Sequence, residues 1–217
     1  MNSRITTIFL SVGLLLTLWV FLFSFTDQIK LPGDNTGFEP PQPINYSHRL
    51  HAGEMRIVCQ HCHTGAEVGK HAAIPSASTC MNCHKNVTAP FLEVKQEQTS
   101  ADMEKRQPKL IVSTELKKLY DAVGFNPDSN KYLNKSKPIA WARVHSLADF
   151  VYFNHSAHVN SGVDCQTCHG PVETMERVRQ VKDFTMGYCV NCHRTSNLSG
   201  VNGKNVHAPT DCSGCHY

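Results

Sequence analysis

The ten cysteines of this 217-residue chain divide without remainder into five Cys-x-x-Cys pairs, and a His follows every pair at once. The pentapeptides are Cys59-Gln60-His61-Cys62-His63, Cys80-Met81-Asn82-Cys83-His84, Cys165-Gln166-Thr167-Cys168-His169, Cys189-Val190-Asn191-Cys192-His193 and Cys212-Ser213-Gly214-Cys215-His216. A shuffled chain with ten Cys and 13 His would hold about 0.03 copies of the pattern. The spacing has a chemical reason. Two thiols three residues apart reach the two vinyl groups of one haem to form thioethers, and the adjacent imidazole is delivered beneath the iron. A disulfide framework gives no reason for the His, and zinc sites take thiolates in fours, into which ten does not divide. The expected cofactors are therefore five covalently bound haem c groups. They attach through Cys59 and Cys62, Cys80 and Cys83, Cys165 and Cys168, Cys189 and Cys192, and Cys212 and Cys215, with His63, His84, His169, His193 and His216 as proximal ligands.

Five haems on so short a chain constrain the fold. Outside the N-terminal apolar run about 38 residues serve each haem, too few for a layered core around every cofactor. The porphyrins must act as the core. The expected fold is mainly α with much irregular chain and little sheet, a multihaem cytochrome c wrapped around five haems, plus one N-terminal transmembrane helix. A 41% apolar and 18% charged composition excludes both a disordered tail and a polytopic membrane protein. A formal charge of +3 supplies no basic field for nucleic acid.

The apolar run follows Arg4 and extends from Ile5 to Thr26 without a charge. As helix it spans about 33 Å, enough for a hydrocarbon core of about 30 Å. A cleaved signal peptide has a shorter apolar region and a small-residue cleavage site, which Phe25-Thr26-Asp27-Gln28 does not offer. Residues 1–30 are therefore expected to be an uncleaved single-pass anchor. Haem c is attached outside the bacterial inner (cytoplasmic) membrane, which places the haem domain in the periplasm. Residues 31–44, with Pro32, Gly33, Gly37, Pro40, Pro41 and Pro43, are expected to form an extended spacer.

The motifs fall into two groups. Only 16 residues separate sites one and two, and 19 and 18 separate sites three to five, but 80 lie between sites two and three. The expected organisation is a dihaem cluster at 45–90, an insert at 91–140 and a trihaem cluster at 141–217. Tyr46-Ser47-His48-Arg49-Leu50-His51 before site one matches Phe153-Asn154-His155-Ser156-Ala157-His158 before site three, both reading aromatic-x-His-x-x-His. Met81-Asn82-Cys83-His84-Lys85 likewise matches Val190-Asn191-Cys192-His193-Arg194. That is an internal repeat whose unit is a pair of haems. In the insert, Ser113 or Thr114 caps a helix whose apolar stripe is Leu116, Leu119, Tyr120 and Val123, with Gly124 as its stop. Residues 97–109 and 126–137 are expected to be polar surface loops.

Each iron needs a second axial ligand if it is to be a low-spin carrier. His48 and His51, and His155 and His158, lie at i and i+3, so one helical turn can offer a His to each of two neighbouring irons. His145 is the first choice as fifth distal ligand. His207 and Met186 are held in reserve, and Met would raise the potential of its haem. His61 lies beneath its own porphyrin and cannot reach the opposite face, and His71 is left for a propionate or solvent.

The aromatic-x-His-x-x-His element before Cys-x-x-Cys-His resembles multihaem class III cytochromes of the c3 and c7 kind. Further likeness lies in Ile74-Pro75-Ser76-Ala77-Ser78-Thr79 before site two and in Ala140-Trp141-Ala142-Arg143-Val144-His145 running on to His158. With five haems and an N-terminal anchor, residues 44–216 are similar to the pentahaem cytochrome subunits of alternative complex III. The resemblance implies an electron-transfer subunit rather than an enzyme, relaying electrons within a quinol-oxidising respiratory complex towards a cytochrome c or terminal oxidase. It implies as partners an iron–sulfur subunit, polytopic quinol-binding membrane subunits and a monohaem cytochrome c subunit. A stand-alone membrane-anchored multihaem quinol dehydrogenase is the alternative. A haem-based reductase is a further one, but it needs an open iron, and here every motif keeps its His.

Overall fold

At sites one, three and five a helical turn begins with the attachment motif, where an extended residue just before it turns the chain into the first bend. Val58 (ψ 146°), Asp164 (ψ 143°) and Asp211 (ψ 163°) play this part before sites one, three and five. The computed structural model describes residues 3–26 and 34–216. Its helices are α1 Ser3–Thr26, α2 Cys59–Cys62, α3 Ala77–His84, α4 Phe91–Met103, α5 Thr114–Val123, α6 His155–Asn160, α7 Cys165–His169 and α8 Met186–Ser199. A π-helical turn spans Arg49–Glu54, and 3-10 turns span Val172–Thr174 and Cys212–Gly214. The sheet among the described residues is a two-residue antiparallel pair, β1 Phe125–Asn126 with β2 Lys131–Tyr132. The protein is thus mainly helical with much irregular chain.

The side chains described in α1 run from Thr7 to Phe23, and all are exposed. Counting only the described residues, no helix is long and apolar enough to cross a membrane. The helical backbone of α1 runs beyond those side chains at both ends, to 24 residues. Residues 27–33, with Asp27, Lys30, Pro32 and Gly33 of the expected anchor end and spacer, lie outside the described residues.

The described part of the spacer is strapped to the body rather than standing free. Gly37 N–H donates to the Gln180 carbonyl at 2.8 Å, and Gln180 N–H returns a bond to Phe38 at 3.1 Å. Gln42 exchanges two bonds with the backbone of Ala142, at 3.0 and 2.9 Å. These pairs satisfy backbone groups that an extended, solvated segment would leave to water. Gln180 is fully buried as a result.

Apolar side chains converge mainly at one place. Leu119, Tyr120 and Val123 of α5 meet Met81 of α3 and Phe125, with Ile44 and Cys80 packed around them. Helix α5 forms as its sequence dictates: Ser113 Oγ accepts from Leu116 N–H at 3.3 Å, and Gly124, at φ 68°, ends it in the left-handed region. The insert therefore buttresses site two. Tyr120 donates its hydroxyl to the His84 carbonyl at 2.6 Å.

One sequence-based expectation needs correction here. The stretch from Glu97 onward is helical as far as Met103, not loop. Arg106 folds back onto Glu97 with two bonds at 2.5 and 3.2 Å, and Lys109 N–H also donates to Glu97 at 2.7 Å. Those bonds hold the Glu97 carboxyl down at about 2. They clip the end of α4 without needing an apolar stripe.

The two halves meet along a close seam. Arg49 N–H donates to the Met175 carbonyl at 2.9 Å, and its guanidinium pairs with Glu54 and with Glu176. Gly53 lies so near the Glu173 backbone that a Cβ would stand 2.3 Å from the carbonyl oxygen. On the other side the loop after site one holds α6: His155 and Ser156 N–H groups donate to Lys70 and Gly69, and Asn160 to Glu67.

Candidate haem sites

All ten cysteines are unbridged thiols; the first four pairs each lie on one turn of helix, and the fifth spans a 3-10 turn that ends just before Cys215. The turns are fixed locally. Asn154 caps α6, Thr185 caps α8, and Asp211 accepts from Gly214 N–H at 3.0 Å at the start of the last motif.

Backbone carbonyls orient six of the candidate ligand histidines. The Nδ1–H of His63 donates to Ala73 at 2.6 Å, that of His84 to Val87 at 2.9 Å, and that of His193 to Pro209 at 2.6 Å. His51 donates to Ser47, His155 to Lys70 and His158 to Asn154, each at 2.8 Å. A carbonyl can only accept, so each bond fixes the proton on Nδ1 and leaves the Nε2 lone pair for a metal. Ala73 presents its carbonyl from a left-handed backbone, φ 65°, a conformation that costs a non-glycine residue about 1–3 kcal/mol.

The structure brings several of the candidate ligands together in pairs. His51 and His84 have ring centroids 6.0 Å apart, and His158 and His193 5.9 Å. His155 and His169 lie 6.3 Å apart with parallel rings. Two imidazoles on opposite sides of one metal, each bonded at about 2 Å, have centroids about 6 Å apart. His48 is half-buried and its Nδ1 is buried without a hydrogen-bond partner; burial first, then the nearby His63 and His51, lower its pKa to about 4.

Site three is crowded. His145 approaches His169 edge-on at 4.5 Å, with its buried Nε2 unpaired. Burial brings His145 to about 4, and burial with His145, His155 and His63 nearby does the same to His169. Imidazoles so held stay neutral at pH 7, the form that ligates. Phe184, held at φ 45°, lays its ring 5.8 Å from His145.

Site five differs. The ring facing His216 is that of Phe150, at 5.7 Å, while His207 is exposed and Met186 is 70% exposed at the start of α8. Sequence reasoning missed the approach of His145 to site three, since nothing in the sequence links residues 24 apart in irregular chain.

The donor set therefore fits covalent haem c: paired thiols on single turns, histidines with Nε2 free, and apolar side chains such as Val58 exposed beside a motif. When bound, haem c supplies one-electron redox chemistry.

The C-terminal third of the chain is similar to multihaem c-type cytochromes of the cytochrome c7 kind, in which haem is covalently bound. Residues 151–217 match the family model described as cytochrome c7 and related cytochrome c. Across the longer chain there is similarity to the multihaem cytochrome c subunit of menaquinone reductase from Nitratidesulfovibrio vulgaris. The two are 24% identical over 200 residues, spanning 81% of this chain and 76% of that relative.

Proposed function

We propose that this chain is a membrane-anchored pentahaem cytochrome that relays electrons within a quinone-linked respiratory complex and performs no catalysis of its own. The observation that carries the reading is the pairing of rings at iron-spanning distance, His51 with His84 and His158 with His193, on turns that precede attachment motifs. Irons closed on both faces exchange electrons but do not host a substrate. In this reading the cysteine pairs attach five haems and His63, His84, His169, His193 and His216 are proximal. His48, His51, His155 and His158 serve as distal ligands to sites one to four, with His145 a second distal candidate at site three. Met186 and His207 remain the candidates for site five.

Helix α1 is the anchor, its 24 residues being long enough, at about 36 Å, to cross a bilayer. The haem domain then lies on the periplasmic side of the inner membrane. The resemblance to alternative complex III assigns as partners an iron–sulfur subunit, polytopic quinol-binding subunits and a monohaem cytochrome c. A second reading is favoured by the similarity to a menaquinone reductase subunit: the relay then delivers electrons to a quinone instead of accepting them from a quinol.

Purification in mild detergent, with haem staining and identification of co-purifying chains, tests the assembly. Recovery of polytopic and iron–sulfur subunits is expected, and the isolated cytochrome running alone under all mild conditions would refute it. Adding a menaquinol analogue to the complex separates the two directions: haem reduction supports quinol oxidation, and quinone-driven reoxidation of prereduced haem supports the reverse.

A further inference from the structure

We propose that the five attachment sites are ordered in space as two, one, three, four, five, so that the halves meet through sites one and three and the series ends at sites two and five. The order is not that of the sequence, in which site two precedes site three. It deepens the relay reading, on which its meaning rests, by naming the terminal sites.

The junction is explicit. Cys59 and Cys165 line one cavity, together with Val58, Gln60, Asp164 and Gln166. The Cys59 and Cys165 side chains lie within hydrogen-bonding reach of each other. The seam described above holds the same two neighbourhoods together, through Lys70 and Gly69 after site one and His155 and Ser156 before site three.

Site two hangs from the other side of site one. The turn that introduces site one carries His51, whose ring faces His84 of site two at 6.0 Å. Beyond site two stands the α5 buttress, which closes that end.

Sites three and four join through Tyr188 of α8, which donates to the Thr167 carbonyl inside the third motif at 2.7 Å, and through His158 facing His193. Sites four and five join through the run-in to the last motif. His193 donates to Pro209 at 2.6 Å, and Asn197 exchanges two bonds with Ala208, at 2.9 and 2.7 Å.

The test is a crystal structure of the intact, haem-loaded chain, with irons located by anomalous scattering and each traced to its thioethers. The iron of site three should lie nearer that of site one than that of site two, and the nearest neighbour of site five should be site four. A site-three iron closer to site two, or a site-five iron closest to any site but four, overturns the order. In solution, an NMR-followed redox titration of two variants counts neighbours. His84→Met should shift the potentials of its own haem and of site one alone. His63→Met should shift its own and those of both sites two and three. A shift at site three in His84→Met contradicts the proposal. Intact mass with fewer than five haem adducts refutes the functional reading instead, while the iron separations still test the order of the sites that remain.

Discussion

The two halves carry the same ligand-bearing element on different backbones. Tyr46 meets His48 at 4.8 Å and 86° and His51 at 4.4 Å and 25°; Phe153 meets His155 at 4.8 Å and 87° and His158 at 4.5 Å and 30°. The second His of each pair donates Nδ1–H to the carbonyl four residues back, at 2.8 Å in both. Yet the first pair sits on a π-helical turn and the second on α6. The aromatic ring clamps both imidazoles, so ring placement survives a change of helix type. What differs is support. The dihaem half leans on the α5 core, while in the trihaem half Met175 is the large buried apolar side chain among the described residues. The longer half depends on its cofactors for an interior, the shorter on protein as well.

The largest effect should come from breaking the element itself. His51→Ala and His158→Ala should each convert one haem in five to a high-spin ferric form, read by electron paramagnetic resonance; a response from only one of them would end the equivalence of the copies. Removing support should come next. Leu119→Ala, at a site 4% exposed, should lose about 2–5 kcal/mol in denaturant unfolding, with the dihaem half yielding first. Gly53→Ala forces the seam open at Glu173 and should cost about 1–3 kcal/mol in either half. Removing the Ser113 cap, as Ser113→Ala, should cost about 1 kcal/mol and be felt only at α5.

Acid should sharpen the contrast. His48, His145 and His169 fall to about 4 in the folded chain, against an ordinary 6.5. The unfolded chain takes up protons as pH falls through 6.5, and the folded one does not until about 4. Stability is therefore complete above 6.5, declines between 6.5 and 4, and levels off below. Two of the three groups belong to the trihaem half, which should lose protection first; guanidinium midpoints at pH 7 and 4.5 read this out.

Much of this was legible in residues whose partners are close along the chain. The motif turns, the cap and stop of α5 and the repeated aromatic-x-His-x-x-His all rest on contacts within a few positions. Helix α4 was not, because Phe91, Leu92 and Val94 are exposed and form no buried stripe, and its end is clipped by Arg106, nine residues beyond Glu97. The fastening of the strap was hidden for a related reason. Its prolines do favour extended backbone, but Gln180, which pairs with it, lies more than 140 residues downstream. At the sites, the Nδ1 acceptors Ala73, Val87 and Pro209 are backbone carbonyls and leave no mark in side-chain identity.

The pairing of Gly37 with Gln180 limits how far the protein can roam. From the end of α1 at Thr26 to that fastening, the chain drawn out fully reaches about 36–40 Å, whatever path it takes. With α1 held in a bilayer, the body cannot swing out in search of a distant donor. Redox partners must come to it, or already stand within that radius.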